Sequence, residues 1–114
     1  MNHIERLELE TKNITLTSAE FSIYLAEEGV TNPESEYDAS SADDKRKIYS
    51  AALSILHSVA NNPALMKAYK KDDLTVSDFA ESLQNRIDQL ERKIRSMTIN
   101  QSSNNSNTFM LFSR

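Results

Sequence analysis

The strongest helix signal in this chain lies in residues 77–97, SDFAESLQNRIDQLERKIRSM. Their apolar side chains recur at alternating intervals of three and four residues, which places them on one face of an α-helix as the a and d positions of a heptad pattern. Outside that face, Asp88 with Arg92 and Glu91 with Arg95 form opposite-charge pairs one turn apart. The pattern predicts a long C-terminal helix with one continuous apolar seam, made of Ala80, Leu83, Ile87, Leu90, Ile94 and Met97.

Two kinds of neighbour can cover this seam. It spans about two and a half heptads, which is short for a coiled coil and favours packing on another helix of the same small bundle. Packing on a neighbouring subunit is the alternative. The sequence therefore predicts helix-seam or subunit packing for Leu83, Ile87, Leu90, Ile94 and Met97.

The preceding segments contain further helix signals. Thr17 and Glu20 form a capping box, and Gly29 is placed to end the helix that follows, predicted at residues 18–28. A second, alanine-rich helix begins after Ser40 or Ser41 and ends at Asn61-Asn62-Pro63, which can also start a short third helix. The sequence thus predicts an all-α fold, a small helical bundle of three to four helices with a long C-terminal helix.

The remaining segments show no helical periodicity. Leu7-Glu8-Leu9-Glu10 alternates like a strand, so residues 1–15 are predicted to be an extended N-terminal arm. Residues 30–41 are predicted to be a loop, and Leu74-Thr75-Val76 a short extended piece before a cap at Ser77. The predicted organisation is an arm at 1–15, a helical domain at 16–98, a polar linker at 99–107 and an extended C-terminal tail at 108–114.

The tail contains four consecutive apolar residues behind the polar linker. Burying them is worth about 6–12 kcal/mol in total, whereas ordering residues 108–114 costs about 7–14 kcal/mol. A single tail is therefore a weak ligand, and several tails on one multimer bind strongly through effective concentration. The pattern favours a docking peptide made of Thr108, Phe109, Met110, Leu111 and Phe112, although folding back onto its own domain is the alternative.

Composition argues against most catalytic and membrane functions. The chain of 114 residues has no Cys and one Gly, which leaves no thiolate zinc site, cysteine nucleophile or glycine-rich phosphate loop. His3 and His57 are far apart in sequence, and the adjacent acidic pairs lack calcium-loop spacing. We expect no enzyme activity, no catalytic residue, no metal and no cofactor. No apolar run approaches a membrane span, and the N-terminus lacks the pattern of a secretory signal.

Charge is unevenly distributed along the chain. Residues 1–39 contain nine acidic and two basic side chains, a net charge of −7, whereas the rest of the chain is +3. An acidic first third opposes tight, sequence-independent nucleic-acid binding. Proximity to genomic DNA in a channel is still compatible with it, because repulsion would let DNA slide without sticking.

The order of these elements resembles the small helical head–tail connector proteins of tailed bacteriophages, also called head-completion or adaptor proteins. The resemblance covers residues 16–97 and includes Asp73-Leu74-Thr75-Val76-Ser77 leading into Phe79-Ala80-Glu81-Ser82-Leu83. The Asn/Ser-rich style is similar to that of phages of gut Bacteroides-type hosts, including crAss-like phages.

The resemblance implies a structural virion protein. Its copies would form a homo-oligomeric ring, commonly of twelve subunits, that docks on the portal protein and bridges it to neck or tail proteins. The C-terminal segment would reach the portal through Thr108–Phe112. The implied location is the portal vertex or neck of the virion, after assembly in the host cytoplasm. The alternative is a small cytosolic regulatory protein that binds one partner through its C-terminal helix.

Overall fold

The computed structural model describes residues 1–12, 14–69 and 75–105, with residues 98–105 described by their backbone alone. Within these ranges the fold is all-α, as predicted, and contains five helices. They are α1 (His3–Glu10), α2 (Ser18–Glu27), α3 (Ala42–Ala60), α4 (Pro63–Tyr69) and α5 (Val76–Asn105).

α3 is the centre of the bundle, and each of the other four helices packs against it. Apolar residues recur along it at helical spacing, so that one wide face is buried. α1 and α2 also pack on each other, as do α4 and α5, and this places two helix pairs around one central helix. The buried side chains of α3 are Ile48, Ala51, Ala52, Ile55, Leu56 and Val59.

Four predicted helix ends are confirmed. Thr17 and Glu20 form the reciprocal capping box of α2, and Gly29 follows that helix with a φ of 93°. The Ser41 side chain accepts a hydrogen bond from the Asp44 backbone and caps α3. Asn62 caps α4 by accepting from the backbone N–H groups of Ala64 and Leu65.

The prediction of an extended arm at residues 1–15 is wrong, because residues 3–10 form α1. Asn2 and Glu5 make a capping box in which each side chain accepts a 2.8 Å hydrogen bond from the backbone of the other. Ile4 and Leu7, one turn apart, are buried, whereas Leu9 is 48% exposed. The leucine alternation suggested a strand, but only one of its two leucines faces the core.

Both predicted boundaries of the last helix differ from the structure. α5 begins at Val76, not after Ser77, because the Thr75 hydroxyl accepts a hydrogen bond from the Asp78 backbone. It ends at Asn105, so residues 99–105 of the predicted polar linker are helical. Extending an existing helix costs far less than nucleating one, and Ser, Asn and Gln are only modestly poorer helix formers than Ala. Leu74 and residues 106–107 lie outside the described residues.

The predicted loop at residues 30–41 is confirmed, and backbone hydrogen bonds join it to the start of α1. An isolated antiparallel bridge joins Asn2 to Glu36. The backbone N–H groups of His3 and Ile4 donate to the carbonyls of Ser35 and Pro33 at 3.2 and 3.3 Å. The loop therefore links the N-terminus of α1 to the N-terminus of α3.

Candidate functional site

The seam of α5 is divided between the core and the surface. Leu83, Ile87 and Leu90 are 5%, 1% and 0% exposed and belong to the same core as the buried face of α3. Ile94 and Met97 are partly exposed. The first three residues are therefore covered within one chain, as packing inside a small bundle requires, and Met97 lines a surface groove.

That groove, the α3–α5 groove, opens where the end of the seam passes the beginning of α3. It has a volume of about 460 Å³. Lys93 places its Nζ 5.1 Å from the centre of the Tyr49 ring, a cation–π arrangement across the two helices. The groove is lined by Ser40, Ala42, Lys45, Tyr49, Lys93, Ser96 and Met97.

The chemistry of the α3–α5 groove is cationic and partly apolar. Lys45 and Lys93 supply two positive charges, Tyr49 and Met97 supply apolar surface, and the lining residues include no acid. Such a lining suits a partner that presents carboxylates around an aliphatic side chain. Lys45 and Tyr49, like Lys93 and Met97, are four residues apart on one helix, so each helix contributes one cation and one apolar side chain from the same face.

A second surface, the α2 face, lies on another side of α3. Its central residue, Ile23, is 58% exposed, although it lies in the middle of a helix. The neighbours of Ile23 at helical spacing are also exposed and comprise two small apolar residues and two acids. The α2 face consists of Ala19, Glu20, Ile23, Ala26 and Glu27.

His3 is a buried polar residue that lies between α1, the 30–41 loop and α3. Its ring is 5% exposed, and its Nδ1 donates to the Ser35 carbonyl at 2.9 Å. Its Nε2 lies 3.5 Å from an Asp44 oxygen, and Tyr37 packs edge-on with a centroid distance of 5.8 Å. The hydrogen bond to Ser35 and the contact with Tyr37 hold the N-terminus of α1 against the 30–41 loop, which is a structural role.

Glu10 is a largely buried carboxylate, and it joins α1 to α5. It pairs with Arg6 at 2.9 Å on its own helix and with Arg86 of α5. Arg86 also donates to the backbone carbonyl of Glu10 at 3.2 Å. An apolar pocket of about 330 Å³ lies beside this ion pair, between the end of α1 and the first half of α5.

The other candidate chemistries give no assembled site among the described residues. His57 is half-exposed on α3 and lies 3.8 Å from Glu91. No group of three His, Asp or Glu side chains is placed to hold a metal ion within residues 1–12, 14–69 and 75–97. None of the described helices is long and apolar enough to cross a membrane.

The predicted docking peptide, Thr108, Phe109, Met110, Leu111 and Phe112, lies outside the described residues. Comparison of the chain with protein-family models, curated proteins and solved structures found no match. The surfaces of the chain and its sequence are therefore the basis of the functional proposals that follow.

Proposed function

We propose that the chain is a structural virion protein, a head–tail connector whose copies form a ring docked on the portal and bridge it to the neck or tail. The observation that supports this most is the course of α5. Met97 lines the α3–α5 groove together with Ala42, the first residue of α3. α5 then continues for eight residues to Asn105, about 12 Å at the rise of a helix.

This course carries the chain away from its own core before the apolar segment begins. Nine residues follow Asn105, and Phe109, Met110, Leu111 and Phe112 are among them. Among the described residues, α1, α2, α4 and α5 already pack on α3. A folded bundle with an apolar peptide attached to the end of a long helix suits an adaptor that docks on another protein.

The all-α bundle with a long C-terminal helix is also the fold that the connector resemblance implies. In a ring, each copy presents one peptide, and the weak affinity of a single peptide is multiplied by the others. The proposed mechanism is therefore binding: the bundle positions the copies, and residues 108–112 anchor each copy on the portal.

Replacing the apolar segment tests this proposal without shortening the chain. One variant changes Phe109, Met110, Leu111 and Phe112 to Ser, and a control variant changes Ser106, Asn107 and Ser113 to Ala. Particles produced with each chain are purified, and the bound portal and neck proteins are identified by mass spectrometry. We expect the serine variant to fold, as judged by circular dichroism, but to be missing from particles, whereas the control is incorporated.

Normal incorporation of the serine variant into tailed, infectious particles would overturn the anchor. Recovery of one cytosolic protein in a one-to-one complex with every variant would instead support the regulatory alternative. That alternative uses the seam of α5 to bind a partner helix. Leu83, Ile87 and Leu90 are already buried in the core of the chain, so the bundle would have to open first, and this favours the adaptor.

A further inference from the structure

We infer that copies of this chain associate head to tail, with the α2 face of one copy seated in the α3–α5 groove of the next. This inference rests on the ring of the proposed function and names the two surfaces that would form it. It also supplies a role for two features that the bundle itself does not use: the exposed Ile23 and the acid-free cationic groove.

The two surfaces are complementary in charge and in polarity. The α2 face presents Glu20 and Glu27 one turn before and one turn after Ile23. The α3–α5 groove presents Lys45 and Lys93 on either side of apolar surface. An aliphatic side chain entering the groove would bring its flanking carboxylates towards the two ammonium groups, and such matching sets orientation as well as association rate.

The position of the two surfaces determines the type of assembly. α2 packs on α1 and α3, whereas α5 packs on α3 and α4, and no helix contact joins α2 to α5 among the described residues. The two surfaces are therefore on different sides of α3, and a copy bound through one of them still offers the other. A contact between two different surfaces is heterologous, and it generates a ring when the rotation between copies closes.

The C-terminal segment of the same chain is the competing occupant. The groove extends to Met97, so a segment that follows Asn105 is long enough to return to it. Residues 106–114, however, contain one arginine and no acidic side chain, so their side chains offer Lys45 and Lys93 no carboxylate, whereas the α2 face offers two. Charge complementarity thus favours the α2 face of a second copy.

Charge reversal in the full-length chain tests the inference. One variant carries Ala26→Lys and Glu27→Lys, which keeps Glu20 in the capping box of α2 and gives both of its surfaces a net positive charge. The other carries Lys45→Glu and Lys93→Glu, so that both of its surfaces are negative. A control variant with Glu81→Lys and Lys67→Glu makes the same kinds of change at exposed positions outside both surfaces. Circular dichroism confirms folding, and sedimentation velocity at low salt measures association over a range of protein concentrations.

We expect the unmodified chain and the control to associate, and each reversal alone to weaken association more than about tenfold, because like charges then meet at the interface. An equimolar mixture of the two reversal variants restores association, since each reversed surface finds a reversed partner. Added salt weakens the association of the unmodified chain by screening the same charges.

Four results would overturn the inference. In the first three, the unmodified chain stays monomeric at low salt, the reversals leave association unchanged, or the mixture of the two variants fails to associate. In the fourth, the NMR signals of Tyr49 and Met97 shift in the monomer when residues 108–114 are removed. The last result would assign the groove to the chain's own tail.

The two proposals can fail separately. Incorporation into particles that is indifferent to the reversals would leave the connector function standing and remove this interface. Association that follows the reversals, in a chain that never enters particles, would do the opposite.

Discussion

Replacing Leu90 with Ala is expected to remove a large part of the stability of the bundle. Leu90 is 0% exposed at the centre of the α5 seam. The three carbon atoms lost are worth about 0.8 kcal/mol each by transfer from water, and the cavity left behind raises the loss of unfolding free energy to about 3–5 kcal/mol. Domains of this size are stable by about 5–15 kcal/mol, so the change is large.

Leu9→Ala is the matched control, because it deletes the same atoms from a leucine that is 48% exposed. We expect it to cost less than about 1 kcal/mol. Urea unfolding followed by circular dichroism gives both free energies. If the seam is covered within one chain, the loss at Leu90 is the same at two protein concentrations that differ about tenfold. Equal effects at the two leucines, or a loss at Leu90 that depends on concentration, would refute burial of the seam within the chain.

Three further substitutions test the ion pairs of Glu10, the glycine that follows α2 and the ion pairs of Asp43. Glu10→Gln leaves Arg6 and Arg86 without a carboxylate and should cost about 2–4 kcal/mol of unfolding free energy, whereas exposed Glu8→Gln changes it little. Gly29→Ala should lower the unfolding free energy by about 1 kcal/mol because of the backbone φ of 93°. The new Cβ adds no clash, since the nearest side-chain atom would lie 3.8 Å away. An unchanged urea midpoint would contradict this prediction. Hydrogen bonds from Lys47 and Arg46 hold the pKa of Asp43 below its ordinary value of 3.8. Its contribution to stability is therefore complete well above that pH and is lost as the pH falls through the lowered pKa, so Asp43→Asn should flatten part of the acid limb of a stability profile.

The seam of α5 can be recognised from a sequence pattern, whereas the two candidate surfaces cannot. The seam is periodic over 18 residues, and three of its five predicted packing residues, Leu83, Ile87 and Leu90, are buried in the core. Neither the α2 face nor the α3–α5 groove has a motif. Ile23 is an aliphatic residue of the kind that usually lies in a core, and only its exposure in the structure marks it as part of a surface. Lys45 and Lys93 line one groove although they are 48 positions apart in the sequence.

Helix ends that depend on contacts between residues close in sequence can be predicted without knowledge of the fold. A capping box at Thr17 and Glu20, a serine cap before α3, Asn62-Pro63 before α4 and a glycine after α2 each involve atoms within a few residues, so their chemistry can be read without a fold.

Two features depend on tertiary contacts: the helical conformation of residues 3–10, and the helix against which the seam of α5 packs. Eight residues are too few to form a stable helix in isolation, so α1 exists because Ile4 and Leu7 are buried in the common core and because the 30–41 loop pairs with the backbone at its first residues. The seam of α5 could have faced a neighbouring subunit, but Leu83, Ile87 and Leu90 are buried in one core with α3, because α3 and α5 pack along each other. Periodicity specifies that a face must be buried, whereas the partner that buries it depends on the path of the whole chain.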